Sequence, residues 1–256
     1  MKATLTVLGS GTSMGVPTIG CDCAVCSSED PFDQRTRPSI MLEYDGRVVL
    51  IDTTPDFRAQ AIREKIRRLD AVLYTHAHAD HILGLDDLRP LTFHRDGKIP
   101  LYAEAVTLER VRDMFSYIFA GKYKYGGLAQ VELHVIEGTV GLWGACFLPI
   151  KVMHGEAEIL GFRFGSAAYL TDFSEVPESS LAQLHGLDIL FLDALRHKPH
   201  PTHSTVANSL QIVDKLKPKR TFFTHIAHDL PHAATNATLP PGVCLAYDGL
   251  KLEFEI

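Results

Sequence analysis

A chain of 256 residues with 46% hydrophobic and 22% charged residues has enough apolar material for a large core, and this balance excludes an extensively disordered protein. A net charge of −6 argues against a surface that neutralises the many phosphates of a long nucleic acid, and leaves room for a small anion that needs only local positive charge. No apolar run approaches the ~18 residues of a bilayer span and residues 1–9 lack a leader's apolar stretch, so the expected location is cytoplasmic, without membrane contact.

Residues 4–8 are predicted to form a short strand that runs into the turn Gly9-Ser10-Gly11-Thr12-Ser13-Met14-Gly15-Val16-Pro17. This turn lacks both the lysine of a P-loop and the spacing of a dinucleotide fingerprint. Next comes Cys21-Asp22-Cys23-Ala24-Val25-Cys26. Its three thiolates can surround one ion, and a histidine from elsewhere would complete a tetrahedral zinc site. Cys146 and Cys244 read as buried thiols. Residues 39–44 and 47–51 form a hairpin about Asp45-Gly46, followed by Asp52-Thr53-Thr54 and a helix over 55–66. Asp52 suits two roles at once, helix N-cap and outer partner of a metal ligand.

A strand over 69–74 then runs into Thr75-His76-Ala77-His78-Ala79-Asp80-His81, with four potential ligands inside six residues. An extended start sends His76 and His78 one way and a helical turn redirects Asp80 and His81, an arrangement that suits two metals better than one. Residues 100–103 read as a strand and 107–119 as a helix. Tyr117, Phe119, Lys122, Tyr123, Lys124 and Tyr125, with Gly126-Gly127, follow as a segment that either stacks a base or sugar or packs an insertion onto the body.

The later half repeats the device of a strand that ends on a ligand. Residues 148–153 lead to His154, 167–171 to Asp172, 187–192 to Asp193 and 220–224 to His225. Strand ends that converge on one edge are what a two-sheet sandwich offers. In His225-Ile226-Ala227-His228 either histidine can reach such an edge, and the strand-end position favours His225. His203 lies just before a helix to Leu216 capped by Ser204 or Thr205, where it can act as a general acid or hydrogen-bond the helix start. Arg196, His197 and His200 are nearby cations with no assigned role. With no linker in sight, residues 1–256 read as one domain whose halves, roughly 1–142 and 143–256, are intertwined.

His76-x-His78-x-Asp80-His81 resembles the signature of the metallo-β-lactamase-fold hydrolases. The turn Gly11-Thr12-Ser13-Met14-Gly15-Val16-Pro17 followed by Cys-x-Cys-x-x-Cys resembles the phosphoribosyl cyclic phosphate phosphodiesterase branch of that superfamily. The resemblance implies an α/β fold, a four-layer αββα sandwich with sheets inside and helices outside. It also implies a dinuclear site: His76, His78 and His154 on one metal, Asp80, His81 and His225 on the other, and Asp172 shared. It makes Asp52 an outer partner of the histidine loop. Cys21, Cys23, Cys26 and His228 become a structural zinc site, and His203 the residue that contacts the substrate phosphate. The run Asp193-Ala194-Leu195-Arg196 departs from the branch's type member.

The expected activity is hydrolysis of a small phosphodiester, a cyclic phosphate of a ribose or nucleotide, by a hydroxide bridging two Zn or Mn ions, with His203 or Asp80 handling the leaving-group proton. The alternatives are a tRNA 3′-processing endonuclease, which the acidic charge disfavours, a thioester or lactone hydrolase, and a non-catalytic metal-binding carrier, which the complete ligand set disfavours. The expected partner is a small phosphate-containing anion, with a homodimer as the candidate assembly.

Overall fold

The β-branched and aromatic runs of the chain segregate into two sheets. The protein is represented by a computed structural model that describes residues 1–93, 95–121 and 127–256. The first half supplies β1 (Lys2–Gly9), β2 (Ser39–Tyr44), β3 (Arg47–Ile51), β4 (Ala71–Leu73), β5 (Ile99–Ala103), β6 (Val131–Val135) and β7 (Val140–Leu142). The second supplies β8 (Ala145–His154), β9 (Ala157–Phe164), β10 (Ala167–Leu170), β11 (Ile189–Asp193), β12 (Arg220–Thr224), β13 (Val243–Leu245) and β14 (Lys251–Glu255). One seven-stranded sheet runs in the order β14-β1-β2-β3-β4-β5-β6 and the other β13-β12-β11-β10-β9-β8-β7. Each half therefore lends its last strand to the other half's sheet.

The two sheets share one pattern. β1, β2 and β3 pair antiparallel and β3 to β6 parallel, just as β8, β9 and β10 pair antiparallel and β10 to β13 parallel. Between the sheets lies a core in which Leu5, Leu42, Ile51 and Leu73 meet Phe147, Phe162, Phe164 and Phe191. Each such fully buried side chain contributes about 1.5–3 kcal/mol. On the outer faces, Phe57, Leu108 and Val111 pack with Leu50, Val72 and Leu101 on the first sheet. Leu181, Val206 and Leu216 pack with Leu170, Leu190 and Phe223 on the second. The result is the expected α/β four-layer sandwich. No helix of the described residues is long and apolar enough to cross a membrane.

Several local expectations shift. The helix expected over 55–66 spans Phe57–Arg63, and Lys65 beyond it adopts the left-handed region at φ 57°. The helix expected over 107–119 spans Ala105–Met114 and breaks at Phe115, whose backbone leaves the helical region as its ring enters the core, before a last turn Ser116–Phe119. Cys146 and Cys244 are exposed, not buried. Period-two alternation turns each outward between two inward-facing neighbours on β8 and β13. Of the aromatic and basic segment, residues 122–126 lie outside the described residues. Exposed Tyr117 falls in the last turn and Phe119 closes it half-buried.

Candidate metal centres

The site is built from strand ends that have turned sharply. Asp52 after β3, Asp172 after β10 and His225 after β12 are non-glycine residues with positive φ, at 67°, 58° and 57°. This conformation costs an L-residue energy and persists where the surroundings fix it. Here the turns bring Asp52 to the Nδ1 side of the His81 ring, and Asp172 and His225 together on its Nε2 side. The histidine loop hangs on Asp52, which accepts from Thr75 N–H and from Thr75 Oγ1, both at 2.9 Å, and from His81 Nδ1 at 2.7 Å. Those bonds put a proton on His81 Nδ1, towards Asp52, and leave Nε2 directed inward.

Asp80, His81, Asp172 and His225, all buried, then converge. His81 Nε2 lies 3.3 Å from both Asp80 Oδ2 and Asp172 Oδ1, and His225 Nε2 lies 3.6 Å from Asp80 Oδ2 and 3.2 Å from Asp172 Oδ2. Donors held 2.0–2.1 Å from a common centre in a tetrahedron stand about 3.3 Å apart, which is this spacing. Asp80 Oδ2, His81 Nε2 and His225 Nε2 are also buried without a hydrogen-bond partner among the described residues. Such orphans are costly unless something charged meets them. Burial alone would lower both imidazoles, yet Asp172 and Asp80, with Asp52, hold His81 well above its ordinary pKa, and Asp172, Asp80 and Asp193 hold His225 up at about 9. Burial alone would raise the two carboxyls, but the facing imidazoles keep Asp80 and Asp172 below the carboxylate range. The pocket's field thus favours a cation, and the donor set fits a divalent metal.

Beside it stand His76, His78 and His154, whose donor atoms lie within 4.8 Å of one another. His76 Nε2 is 2.9 Å from His78 Nδ1. His154 Nδ1 donates to the Thr202 carbonyl at 2.9 Å, which leaves its Nε2 free. Burial, with His81 nearby, pushes His76 well below its ordinary pKa, so that ring is neutral, as a metal ligand would need to be. Asp172 does not fall in this trio. It reaches the same side through a second set, His154, Asp172 and His203.

The thiol loop and the segment after β12 are brought together as well. Cys21, Cys23 and Cys26 Sγ lie 3.2, 3.5 and 3.4 Å from His228 Nδ1. An S–N edge of a zinc tetrahedron measures about 3.5 Å. The Thr18 and Cys26 amides point at Cys26 Sγ and Cys23 Sγ, and the Cys26 amide is the main reason that the Cys23 thiol is lowered to about 7. Buried Arg35 was not singled out in the sequence. It donates to the carbonyls of Ala227 and Leu230 and pairs with Asp33 at 2.9 Å, which clamps the His228 turn against the N-terminal loop. The Ile226 amide and carbonyl bond to Ser10 and Thr12 across the same seam. An arginine in a loop carries no spacing signal for this.

His203 Nδ1 lies 2.8 Å from Asp193 Oδ2, and its ring stacks on His225 with centroids 4.6 Å apart. Asp193, fully buried at the end of β11, was legible as a strand end but not as the residue that orients His203. His200 stands 5.0 Å from the His203 ring and accepts from Thr202, whereas Arg196 turns to the carbonyls of Lys198 and Pro199 and His197 is exposed. Thr205, not Ser204, caps the following helix.

Residues 47–226 match the family profile of the β-lactamase superfamily domain, which covers most of the chain and all seven residues of the two clusters. With the two-sheet fold, this places the chain in the metallo-β-lactamase-fold superfamily of hydrolases. A solved structure described as a new diphosphatase from the PhnP family is 64% identical, with a TM-score of 0.94 over 99% of this chain and 98% of that one. The chain belongs to that PhnP branch. A curated relative, an octanoyltransferase of Porphyromonas gingivalis, is 39% identical over 96% of this chain, which spans only 50% of that relative's length. Zn(2+)-bound PqqB from Methylobacterium extorquens shares the fold, with a TM-score of 0.80 at 22% identity over 97% of this chain and 99% of that one.

Proposed function

We propose that this protein hydrolyses small phosphoric diesters and phosphoanhydrides, cyclic phosphates of a ribose or nucleotide among them, at a two-metal centre. The carrying observation is the set of buried, otherwise partnerless donors at ligand spacing, with a carboxylate-held histidine against it. Asp80, His81, Asp172 and His225 would hold one cation, and His76, His78 and His154 a second, with Asp172 facing both. Zn or Mn suits this mixture of imidazole and carboxylate. When bound, such cations supply Lewis acidity at the phosphoryl oxygens and a nucleophile from water at neutral pH.

The chain's own residues do the rest. Asp52 fixes the tautomer of His81, and the Thr202 carbonyl that of His154. Asp193 holds His203 by Nδ1 and leaves Nε2 to protonate the departing oxygen. Burial and the facing His225 push His203 down to about 4, so the resting ring is neutral. An anionic phosphoryl group raises it by adding negative charge at close range. The diphosphatase relative supports phosphorus over carbon as the centre attacked.

A panel of bis-p-nitrophenyl phosphate, a cyclic nucleotide, a nucleoside diphosphate, a lactone and a thioester, run with Zn and with Mn, tests this reading. Turnover concentrated on the phosphorus substrates is expected. Faster hydrolysis of the lactone or thioester overturns it.

A further inference from the structure

The histidine trio opens into a cleft of about 570 Å³, a volume that suits a nucleotide-sized ligand. Its base is His76, His78 and His154, and one wall is the helix Ala105–Met114. Val106, Arg110 and Met114 fall four residues apart on that helix and form a single stripe facing the cleft. Val106 is 61% and Met114 50% exposed, so both offer open apolar surface beside a polar centre. Arg110, between them, makes no ion pair with the described residues, and among the described residues it is the one arginine or lysine lining the cleft. Glu104 and Glu158 also line it, the latter paired with Lys151 at 2.6 Å.

We propose that Arg110 binds the second phosphoryl group of a diphosphate substrate whose scissile phosphorus lies at the histidine end, while Val106 and Met114 receive the heterocycle of the nucleotide that carries it. The assignment rests on the phosphorus-hydrolase reading and narrows it to nucleoside diphosphate compounds. A guanidinium offers two parallel N–H donors to a phosphoryl group, and an apolar stripe offers a base a face to lie on. The carboxylates of Glu104 and Glu158 favour sugar hydroxyls over a further anion. In the reaction a water oxygen bonds to phosphorus and the bridging P–O bond breaks. The bond's electron pair leaves with the departing phosphate, which takes one proton.

Binding to the metal-loaded protein separates this from the general reading. Calorimetry with α,β-methylene adenosine diphosphate, AMP and methylenediphosphonate compares wild type with Arg110→Ala and Val106→Ser. Arg110→Ala is expected to weaken the two diphosphate analogues about 10- to 100-fold, and AMP much less. Val106→Ser should weaken the two nucleotides and spare methylenediphosphonate. Equal losses for all three ligands in Arg110→Ala, no loss for any, or a wild type that binds none of them overturns the assignment. A wild type that binds the analogues with this pattern and cleaves no phosphorus compound sinks the hydrolytic reading and leaves the Arg110 contact standing.

Discussion

Asp52 and Asp172 occupy the same place in the two halves. Each follows a strand paired antiparallel to the one before it and parallel to the one after, each has positive φ, and each is buried. Their surroundings differ. Asp52 is saturated by Thr75 N–H, Thr75 Oγ1 and His81 Nδ1. Asp172 takes one hydroxyl, from Thr171 at 2.6 Å, and otherwise faces the Nε2 atoms of His81 and His225. The backbone places a carboxylate at each strand end. Whether it orients a ligand or acts as one depends on whether neighbouring N–H and O–H groups have already filled its lone pairs. His81 meets both carboxylates on one ring, with Asp52 on Nδ1 and Asp172 facing Nε2.

Substitutions should break this symmetry unevenly. Asp172→Ala removes the carboxylate proposed to face both cations, and the expected result is activity at background with neither active-site cation retained. Metal analysis that finds two fully occupied ions in that variant rejects the shared role. His203→Ala should keep the cations and lower turnover by about 10²–10⁴-fold on a substrate with a poor leaving group. Unchanged turnover there would leave His203 with the helix start alone. Asp193→Asn should follow it in direction and shift the acid limb of the pH profile, since it alters the group that holds His203. Asp52→Asn keeps the shape but offers one acceptor fewer to His81 and Thr75. A loss of about 10- to 100-fold in metal affinity or activity is expected, smaller than for Asp172→Ala. Equal losses for the two aspartates would show that Asp52 is itself a ligand.

The candidate ligands His154, Asp172 and His225, and Asp193 beside them, were legible because each ends an apolar strand, and a strand end is a local signal. The helix that lines the cleft was legible as a helix but not as a wall, since nothing in residues 105–114 says which strand ends they face. The Asp193 to His203 contact joins a strand end to a loop ten residues on, and that pairing is fixed only by where the chain turns between them. Arg35 reaches Ala227 and Leu230 across 192 and 195 residues, a distance at which composition and period carry no information. The outward turn of Cys146 and Cys244 depends on which face of each strand meets the core, and a short apolar run does not specify its face.

The thiol site tests a second contrast, between His225 and His228 at the two ends of one four-residue turn. His225 is fully buried among carboxylates, and His228 faces three sulfurs in a loop closed by Val16 and Val25. A closed set of three thiolates and one imidazole prefers zinc to manganese, so protein loaded with manganese is expected to keep about one zinc per chain that does not exchange with the catalytic pair. Cys23→Ala and His228→Ala should each release that zinc and lower the melting temperature. The remaining folded fraction should keep its active-site cations, because Ile226 is still hydrogen-bonded to Ser10 and Thr12. His225→Ala should do the reverse, emptying the catalytic centre while the tightly held zinc stays. Zinc released by His225→Ala but retained in His228→Ala exchanges the two histidines, and the strand-end rule then fails at the one place where the sequence offered it a choice.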